Sequence, residues 1–444
     1  MSVTPAELYP AHHDELLRRY SVALQKQAYD GVVIFAGSPH PVFQDDRSYP
    51  FLISPWYRQW VPERDHAGSL IVLRPGERPR LVCYQPRDYW HVVPAAPAGF
   101  WPGHFDIVSA GTPAAALAEL PDSLSGWALL GEPDPALAEL GFEAINPEAL
   151  VRQLQFDRLY KTAYELACLR EANRIAARGH LAAGEAFAAG RSEFEIHLTY
   201  LRAVGQTDAQ LPYANIVALN EHAATLHYDA SEAAVPAVSR SFLLDAGADC
   251  AGYAADITRT WAAPSETAFG ELVALLDEAQ QALIENIRPG VEYLDLHCQM
   301  HRQIAGILAA TGLVDMAPDD MTESGITSAF FPHGLGHHLG LQVHDVAGKV
   351  AGPDGPELAQ PAAHPFLRNL RPVEAGNVFT VEPGIYFIPQ LLEPLRGEPA
   401  GRAVNWSAVE ALLPCGGVRI EDDVAVTATG AENLTRAAFA ELAA

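Results

Sequence analysis

Acidic side chains interrupt apolar, strand-like runs at four positions in the second half of this chain. An ionised carboxylate is expensive to bury in such a run unless it is paired or coordinates a metal ion. The pattern therefore predicts that these segments share a site that supplies positive charge. Taken alone, the last segment also fits an ordinary half-solvated strand. The four carboxylates are Asp245 and Asp256 in Phe242–Trp261, Glu382 in Asn377–Tyr386, and Glu421 in Gly416–Val426.

The first two carboxylates flank a predicted turn. Gly247 and Gly252 bracket this turn, and Asp245 and Asp256 lie symmetrically about it. A hairpin would place the two carboxylates nearly opposite each other on neighbouring strands. Like charges at that distance are costly unless a proton or a cation lies between them. One of the two could instead be a turn or capping residue, so the hairpin alone leaves both interpretations open.

Four histidines fall within twelve residues of a glycine-rich segment. Because glycine has no side chain, the backbone there can approach a ligand or an ion closely. The first two histidines have the spacing of a helical H-E-x-x-H site, but the glycines between them and the missing glutamate argue against that helix. We therefore predict a site in a loop or at a strand end, with a hydrogen-bonded core role as the alternative. The histidines are His333, His337, His338 and His344.

The combined donor set is rich in oxygen, with one or more imidazoles and no thiolate. Such a set suits Mn²⁺ or Co²⁺ better than a structural zinc ion. Four carboxylates and one imidazole exceed what one catalytic ion takes while keeping a position open. Two ions bridged by carboxylates would use all five side chains.

The pattern of apolar runs divides the chain into two regions. Short apolar runs alternate with helical stretches at the beginning, which predicts a mixed α/β domain over residues 1–157. An Ala-rich helical segment follows, and strands then succeed one another without intervening helices, which predicts an α+β domain over residues 158–444. Two long Pro-rich stretches, 360–372 and 389–417, are predicted to be functional loops.

The composition restricts the partners. The chain has 29 basic and 55 acidic residues, a net charge of −26, so it lacks the cationic surface that phosphate backbones and anionic lipids require. Its five cysteines form no C-x-x-C pair, which is typical of reduced cytosolic thiols. No apolar run reaches about 18 residues. We therefore predict a cytoplasmic protein that binds neither nucleic acid nor membranes.

The order of the motifs resembles that of the pita-bread metallopeptidases, closest to the bacterial Xaa-Pro dipeptidases (prolidases). The motifs are D-x-G…D-I-T-R-T, P-H-G-L-G-H-x-L-G-L-x-V-H-D, T-V-E-P-G-I-Y and G-V-R-I-E-D-D. The resemblance covers essentially the whole chain and implies a pita-bread catalytic domain preceded by a smaller α/β domain. The separation of 39 positions between Glu382 and Glu421 also resembles prolidases more than aminopeptidase P, in which this connection is typically shorter.

The resemblance also implies roles for individual residues. Asp245 would bind one ion, His337 and Glu382 the other, and Asp256 and Glu421 would bridge them. Glu382 would also carry protons, and two histidines would hold the reacting carbonyl or the leaving group. Five further positions match substrate-site residues, although for the two tyrosines a structural role is an equal alternative. The two histidines are His333 and His344, and the five substrate positions are His227, Arg368, Arg419, Tyr213 and Tyr293.

The implied activity is hydrolysis of Xaa-Pro dipeptides by a hydroxide that bridges two divalent ions per subunit. Mn²⁺ is the preferred ion, with Co²⁺ and Zn²⁺ as alternatives. The family resemblance further implies a homodimer, in which the N-terminal domain of one subunit helps to wall the site of the other, and a side activity on organophosphates. Two alternatives remain: an aminopeptidase P that acts on longer Xaa-Pro peptides, and a pita-bread binding protein that has lost catalysis. All five ligand positions carry competent side chains, which argues against the second.

Overall fold

The computed structural model describes residues 4–132 and 134–444. These residues form two compact units. The first comprises the residues through Cys168 with the short segments Ala251–Tyr253 and Gly352–Gly355, and the second comprises the rest. The change from one unit to the other along the chain falls within a long helix, Ala163–Ala188.

The first unit contains a six-stranded mixed sheet. Its strand order is β4-β3-β2-β1-β5-β6, with antiparallel pairs β1–β2 and β2–β3 and parallel pairs β3–β4, β1–β5 and β5–β6. The apolar run that forms β1 is buried along its whole length, as expected for a central strand. The strands are β1 Gly31–Phe35, β2 Leu70–Leu73, β3 Arg80–Tyr84, β4 Asp106–Ala110, β5 Trp127–Leu130 and β6 Ala144–Ile145.

Helices flank the strands of the first unit in the chain. The longest begins with a capping box, in which Thr4 and Glu7 satisfy each other's backbone groups, and has Pro5 as its first residue. Its apolar side chains Tyr9, Leu16 and Tyr20 are buried. The helices are α1 Pro5–Lys26, α2 Pro55–Arg58, α3 Pro113–Leu117, α4 Pro135–Ala138 and α5 Glu148–Asp157.

The second unit combines helices with short antiparallel sheets. Helix α6 is followed by eight more helices in the described part of the chain. The helices are α6 Ala163–Ala188, α7 Glu193–Val204, α8 Thr267–Ile284, α9 Tyr293–Ala310, α10 Pro318–Glu323, α11 Ile326–Phe330, α12 Pro389–Arg396, α13 Trp406–Leu412 and α14 Leu434–Ala443. The strands are β7 Ile216–Leu219, β8 Ser241–Asp245, β9 Asp249–Cys250, β10 Tyr253–Ala254, β11 Thr258–Ala262, β12 Val378–Val381, β13 Gly384–Tyr386, β14 Gly417–Arg419, β15 Asp422–Val426 and β16 Ala431–Asn433.

Three antiparallel sheets of the second unit position the site. Their strand orders are β11-β8-β7, β12-β15-β16 and β13-β14. A single bridge between Thr258 and Glu421 brings the first sheet next to the segment that joins β14 to β15. Helices α8 and α9 pack together, and their side chains Leu276, Met300 and Ile304 share one buried cluster with Phe379 of β12. Each such side chain contributes roughly 1.5–3 kcal/mol when fully buried, so this cluster gives the strands a fixed support.

The two Pro-rich stretches differ in structure. Residues 360–372 are irregular, as predicted, but residues 389–417 contain α12 and α13, so the prediction of a long loop there was wrong. Pro389 occupies the first turn of α12, where a missing N–H has no cost, and the Asn405 side chain caps α13 by accepting from the N–H of Ala408. In the described part of the chain, no helix combines the length and the apolar character needed to span a bilayer.

Candidate metal-binding active site

The β8–β11 hairpin carries the first two predicted ligands. Thr258, not Asp256, lies opposite Asp245, so the predicted pairing is displaced by two residues. Because side chains along a strand repeat with a period of two, a displacement of two keeps both carboxylates on one side. The Tyr213 hydroxyl lies 2.8 Å from Asp245 Oδ1 and 2.6 Å from Asp256 Oδ1. The two carboxylates are therefore neighbours that share one phenol proton.

Close backbone approach requires glycine at two positions of the site. A Cβ on Gly247 would lie 2.0 Å from the carbonyl oxygen of Ala255 and 2.8 Å from the Tyr213 ring. A Cβ on Gly336 would lie 2.0 Å from the carbonyl oxygen of Thr380. Both distances are far below van der Waals contact, so glycine is required where these backbone segments pack against each other. The predicted approach of this backbone to a ligand or an ion stays a prediction.

His337 lies beside strand β12 with a fixed ring orientation. Its backbone N–H donates to Thr380 Oγ1 at 3.2 Å, and its carbonyl accepts from the N–H of Thr380 at 2.9 Å. Its Nδ1–H donates to the carbonyl of His338 at 3.1 Å. Nε2 is consequently directed at two carboxylates, 3.4 Å from Asp256 Oδ2 and 3.7 Å from Glu382 Oε1. A carbonyl on one ring nitrogen is the usual way to aim the other nitrogen at a metal ion.

Glu421 enters the site between β14 and β15. Its backbone N–H donates to the carbonyl of Thr258 at 3.0 Å, and its Oε2 accepts from Thr258 Oγ1 at 2.8 Å. The side chain is buried, so the half-solvated strand suggested for this segment does not occur. Ligand atoms of Asp256, His337 and Glu421 all lie within 4.8 Å of one another. The structure thus brings together all five predicted metal ligands.

Arg419 is the main positive charge in contact with these carboxylates. Its guanidinium is buried and donates through Nη2 to Asp245 Oδ2 at 2.8 Å, through Nη1 to Tyr386 Oη at 2.9 Å and through Nε to Thr258 Oγ1 at 3.1 Å. All three nitrogens are engaged within the protein. Arg419 therefore holds Asp245, Tyr386 and Thr258 in place from the interior of the protein.

His333 continues the chain of hydrogen bonds from Arg419. The Tyr386 hydroxyl, which accepts from Arg419, donates to His333 Nε2 at 2.9 Å, and His333 Nδ1–H donates to the carbonyl of Gly334 at 2.8 Å. Burial and the charge of Arg419 lower the pKa of His333 to about 3, so the ring is neutral. Its Nδ1 lies 3.7 Å from Glu382 Oε2.

The carboxylates are short of positive charge. Burial raises the pKa of Glu382 to about 7 and that of Glu421 well above its usual range, and neighbouring carboxylates add to both shifts. Burial also raises the pKa of Asp245, against the opposing charge of Arg419. Only Asp256 differs: although burial opposes ionisation, contact with His337 lowers its pKa. Four carboxylates, two buried (Asp256, Glu421) and two partly buried (Asp245, Glu382), with one imidazole therefore fit divalent cations, which would supply the missing charge.

His344 and two of the predicted substrate residues, His227 and Arg368, are exposed to solvent. The His344 ring is nearly perpendicular to the ring of His337, with a centroid separation of 4.3 Å. Although His344 keeps an exposed edge, partial desolvation by the surrounding protein and the charge of His337 lower its pKa to about 4. The charges of His227 and Arg368 also lower the pKa of His344. The cluster therefore has a solvent-facing edge with potential donors for a substrate.

Tyr213 and Tyr293 differ in position. Tyr213 contacts the carboxylates directly, as described above. Tyr293 is buried in the core, where its hydroxyl donates to the carbonyl of Thr380 at 3.1 Å and its ring packs edge-on against Phe379. This position makes Tyr293 a support for β12.

Sequence reasoning missed four residues that hold the ligands in place. Thr258, Thr380 and Tyr386 make the hydrogen bonds described above, and Asp423 Oδ2 accepts from the backbone N–H of Asp256 at 3.1 Å. All four lie in or beside the motifs singled out from the sequence. Three of them are hydroxyl residues, which are common in strands, so their types gave no signal. Asp423, an acid in the apolar strand β15, carried the same signal that singled out Glu421.

Comparison with known proteins identifies the family. The sequence matches the model of metallopeptidase family M24 over residues 167–428. The chain belongs to this family. The model for the N-terminal domain of Xaa-Pro dipeptidase matches residues 7–156 of this M24 member. The predicted resemblance is therefore confirmed, and membership of M24 makes the chain a hydrolase that uses divalent metal ions, as predicted.

Individual relatives of this M24 chain agree with that result. An Xaa-Pro dipeptidase of Aeromonas hydrophila is 48% identical over 435 residues, which cover 98% of this chain and 99% of the relative. An Xaa-Pro dipeptidase of Xanthomonas euvesicatoria is 47% identical over 435 residues and 98% of both chains. The solved structure of aminopeptidase P from Escherichia coli with the inhibitor Pro-Leu has a TM-score of 0.73 at 25% identity, covering 96% of this chain and 95% of that one. The predicted pita-bread fold with an N-terminal domain is confirmed.

Proposed function

We propose that this M24 enzyme hydrolyses Xaa-Pro dipeptides. The observation that carries the proposal is the convergence of the five predicted ligands from four separate segments into one largely buried cluster. Relatives named Xaa-Pro dipeptidase also match this chain over nearly its full length. Carboxylates that are gathered away from water with so little positive charge destabilise the folded protein unless cations bind between them. The same shortage of positive charge argues against a binding protein that has lost its metal centre.

We propose the ligand assignment that the family resemblance implies. Asp245 would hold one ion, His337 and Glu382 the other, and Asp256 and Glu421 would bridge them. Mn²⁺ suits the oxygen-rich set best, with Co²⁺ or Zn²⁺ as alternatives. Divalent ions bound there would acidify water and polarise the scissile carbonyl.

The protein's own groups would move the protons. Glu382 lies at the edge of the cluster, between His333 and His337. The pKa of its carboxyl is raised to about 7, so the group can both accept and release a proton near neutral pH. It would take the proton of the attacking water and deliver it to the proline nitrogen as the amide bond breaks. Both nitrogens of His333 are engaged with Gly334 and Tyr386, so the exposed His344 is the better donor to the developing oxyanion.

Recognition of the substrate's free carboxylate falls to Arg368. Arg368 and Arg419 are both predicted substrate-site residues, but Arg419 is buried with all three nitrogens bound. Arg368 is exposed in the irregular 360–372 segment, close enough to influence His344. A guanidinium there can make a bidentate contact with a carboxylate.

A second candidate function is that of an aminopeptidase P on longer Xaa-Pro peptides. The similarity of the fold to aminopeptidase P favours it. The test compares kcat/KM of the Mn²⁺-loaded enzyme for Gly-Pro and for Arg-Pro-Pro. We expect strong preference for the dipeptide and loss of activity on chelation, restored by Mn²⁺. Comparable efficiency on the tripeptide would overturn the dipeptidase proposal, and full activity after chelation would overturn the metal centre. Turnover of an organophosphate ester in the same samples would test the predicted side activity.

We further propose that the enzyme is a homodimer that uses the N-terminal domain, residues 1–157, for dimerisation and as a wall of the partner's site. Two segments of this domain expose large apolar side chains, among them Phe43, Leu52, Tyr89, Trp90 and Val92. Apolar groups concentrated in this way are typical of protein interfaces. Light scattering behind a sizing column tests the dimer. The free thiols of all five cysteines also favour a reducing compartment, so we propose a cytoplasmic location.

A further inference from the structure

A second group of potential metal ligands lies outside the carboxylate cluster. His297 and His301 are one turn apart on α9, and His364 approaches them from the 360–372 segment. One ligand nitrogen from each of the three rings lies within 4.8 Å of the other two. None of the roles assigned above uses these histidines.

One nitrogen of each ring lies close to a nitrogen of a neighbouring ring. His297 Nε2 lies 3.0 Å from His364 Nδ1 and 3.2 Å from His301 Nε2. A tetrahedral zinc ion with Zn–N bonds of about 2.0–2.1 Å has ligand nitrogens roughly 3.3 Å apart. The observed separations are close to two edges of that tetrahedron, and the i, i+4 spacing on one helix face is well suited to binding by two imidazoles.

Hydrogen bonding alone leaves the three nitrogens poorly matched. His301 Nδ1 lies 2.9 Å from Thr327 Oγ1, and His364 Nε2 lies 3.8 Å from Cys298 Sγ. If these outer nitrogens carry the protons, His301 and His364 both direct lone pairs at His297 Nε2. A single N–H on His297 can satisfy only one of them. A cation would satisfy all three nitrogens. The contacts with Thr327 and Cys298 would then orient the rings, as hydrogen-bond partners of metal-binding histidines do.

The surroundings favour a stable site. His297 and His301 are buried, and both pack against the ring of Phe331. Burial lowers the pKa of His297 to about 2, which keeps that ring neutral as a metal ligand must be. His364 is half-buried and gives access from solvent. The side chain of Gln360 donates to the carbonyls of His364 and Leu367, so the segment is already folded around the ligand.

We propose that His297, His301 and His364 form a second metal site, separate from the active site, that binds a borderline divalent ion such as Zn²⁺ through three imidazole nitrogens. The two sites differ in chemistry, because nitrogen ligands favour Zn²⁺ and its neighbours whereas the carboxylate cluster favours Mn²⁺. An ion here would connect α9 to the 360–372 segment. Metal binding at these histidines does not require peptidase activity. An experiment can therefore refute this site without refuting the proposed function, and the reverse.

The test uses Co²⁺ as a spectroscopic probe for a nitrogen-rich tetrahedral site. The Mn²⁺-loaded full-length enzyme is titrated with Co²⁺ while its visible absorption is recorded, in parallel with His364→Ala and with His91→Ala, an exposed histidine on the first unit. Any replacement of Mn²⁺ by Co²⁺ at the carboxylate cluster adds the same absorption to the spectra of all three proteins. We expect wild type and His91→Ala to bind one further equivalent with intense tetrahedral bands, which Zn²⁺ bleaches, and His364→Ala to lose it. Identical titrations of wild type and His364→Ala would overturn the proposal.

A crystallographic experiment on the wild-type enzyme does not depend on whether the His364→Ala variant folds. Crystals of the wild-type enzyme are soaked in Zn²⁺, and anomalous differences are collected on both sides of the zinc edge. We expect a peak within bonding distance of His297 Nε2, His301 Nε2 and His364 Nδ1. Crystals with zinc at the carboxylates and no peak between these imidazoles would refute the site while leaving the proposed function intact.

Discussion

Thr258 and Glu421 are joined twice, although 163 positions separate them in the chain: the Thr258 hydroxyl donates to Glu421 Oε2 at 2.8 Å, and the Glu421 N–H donates to the Thr258 carbonyl at 3.0 Å. The second bond connects the β8–β11 hairpin to the β14–β15 segment. The first fixes the rotamer of a carboxylate that we propose bridges two metal ions. Thr258 also accepts from Arg419 Nε, so one hydroxyl serves two charged groups.

We predict that Thr258→Val weakens metal binding without unfolding the protein. Valine keeps the shape of the side chain but leaves the Glu421 carboxylate without its hydroxyl donor. Loss of an outer-shell partner typically lowers metal affinity by about 10–100-fold. Calorimetric titration of the metal-free enzyme with Mn²⁺ measures the effect.

The matched control for this variant is Thr258→Ser, which retains the hydroxyl. We expect its Mn²⁺ affinity to remain near that of wild type. If the serine and valine variants weaken binding equally, packing of the methyl group matters more than the hydrogen bond, and the proposed orienting role is wrong.

Glu382→Gln tests proton transfer. Glutamine preserves size and one carbonyl oxygen but cannot carry the proton of the attacking water. We expect kcat for Gly-Pro to fall by about 10²–10⁴-fold, with a smaller change in KM. Metal content measured on the same samples separates loss of proton transfer from loss of an ion. A variant with full metal content and near-normal kcat would show that another group moves the proton.

Arg368→Ala tests recognition of the substrate's carboxylate. A charge-assisted hydrogen bond contributes roughly 1.5–3 kcal/mol, so kcat/KM for Gly-Pro should fall by about 10–150-fold. Gly-Pro amide, which lacks the carboxylate, should be hydrolysed equally by wild type and variant. Steady-state kinetics on the two substrates gives the comparison, and an equal loss on both would contradict the proposed contact.

Arg419→Ala provides a contrast to Arg368→Ala. Arg419 pairs with Asp245 in the interior, and both side chains are largely buried. Removing one partner of a buried pair costs about 3–5 kcal/mol, because the other charge is left uncompensated. Chemical denaturation of the metal-free protein should therefore show a large loss of stability for Arg419→Ala and almost none for Arg368→Ala.

His180 should make stability depend on pH. Burial lowers the pKa of this ring to about 3, and its Nε2–H donates to the carbonyl of Ala246 at 2.9 Å. The unfolded chain, in which histidine has a pKa near 6.5, therefore binds more protons between about pH 3 and pH 6.5. Stability contributed by the neutral ring is full above pH 6.5 and falls as the pH drops, by on the order of 1.4 kcal/mol per pH unit.

Denaturant unfolding of wild type and His180→Gln at several pH values measures this dependence. Glutamine can retain a donor to the Ala246 carbonyl but does not titrate. We expect a lower stability for the variant at pH 7 and a shallower decline between pH 6.5 and pH 3. Parallel pH curves for the two proteins would show that this ring does not contribute to acid unfolding.

The sequence singled out the charged residues that gather in the candidate site but missed most of the residues that support them. Asp245, Asp256, Glu382 and Glu421 stood out because charge in apolar strands has few physical explanations. The pairing of Asp245 and Asp256 was predicted with an error of two residues, since the symmetric assignment ignored the small β9–β10 sheet between β8 and β11. The Pro-rich stretch 389–417 was misinterpreted as a loop because proline also begins helices.

The sequence by itself determined the family, the fold class and the types of side chain available for metal binding, because these depend on local patterns and on motifs that can be read in order. Only the tertiary structure decided which charges are already paired. It buried Arg419 against Asp245 and left Arg368 exposed, and it brought His364 to His297 across 67 positions. Such pairings depend on how separate segments pack, and packing distances between distant residues are not encoded in any local pattern.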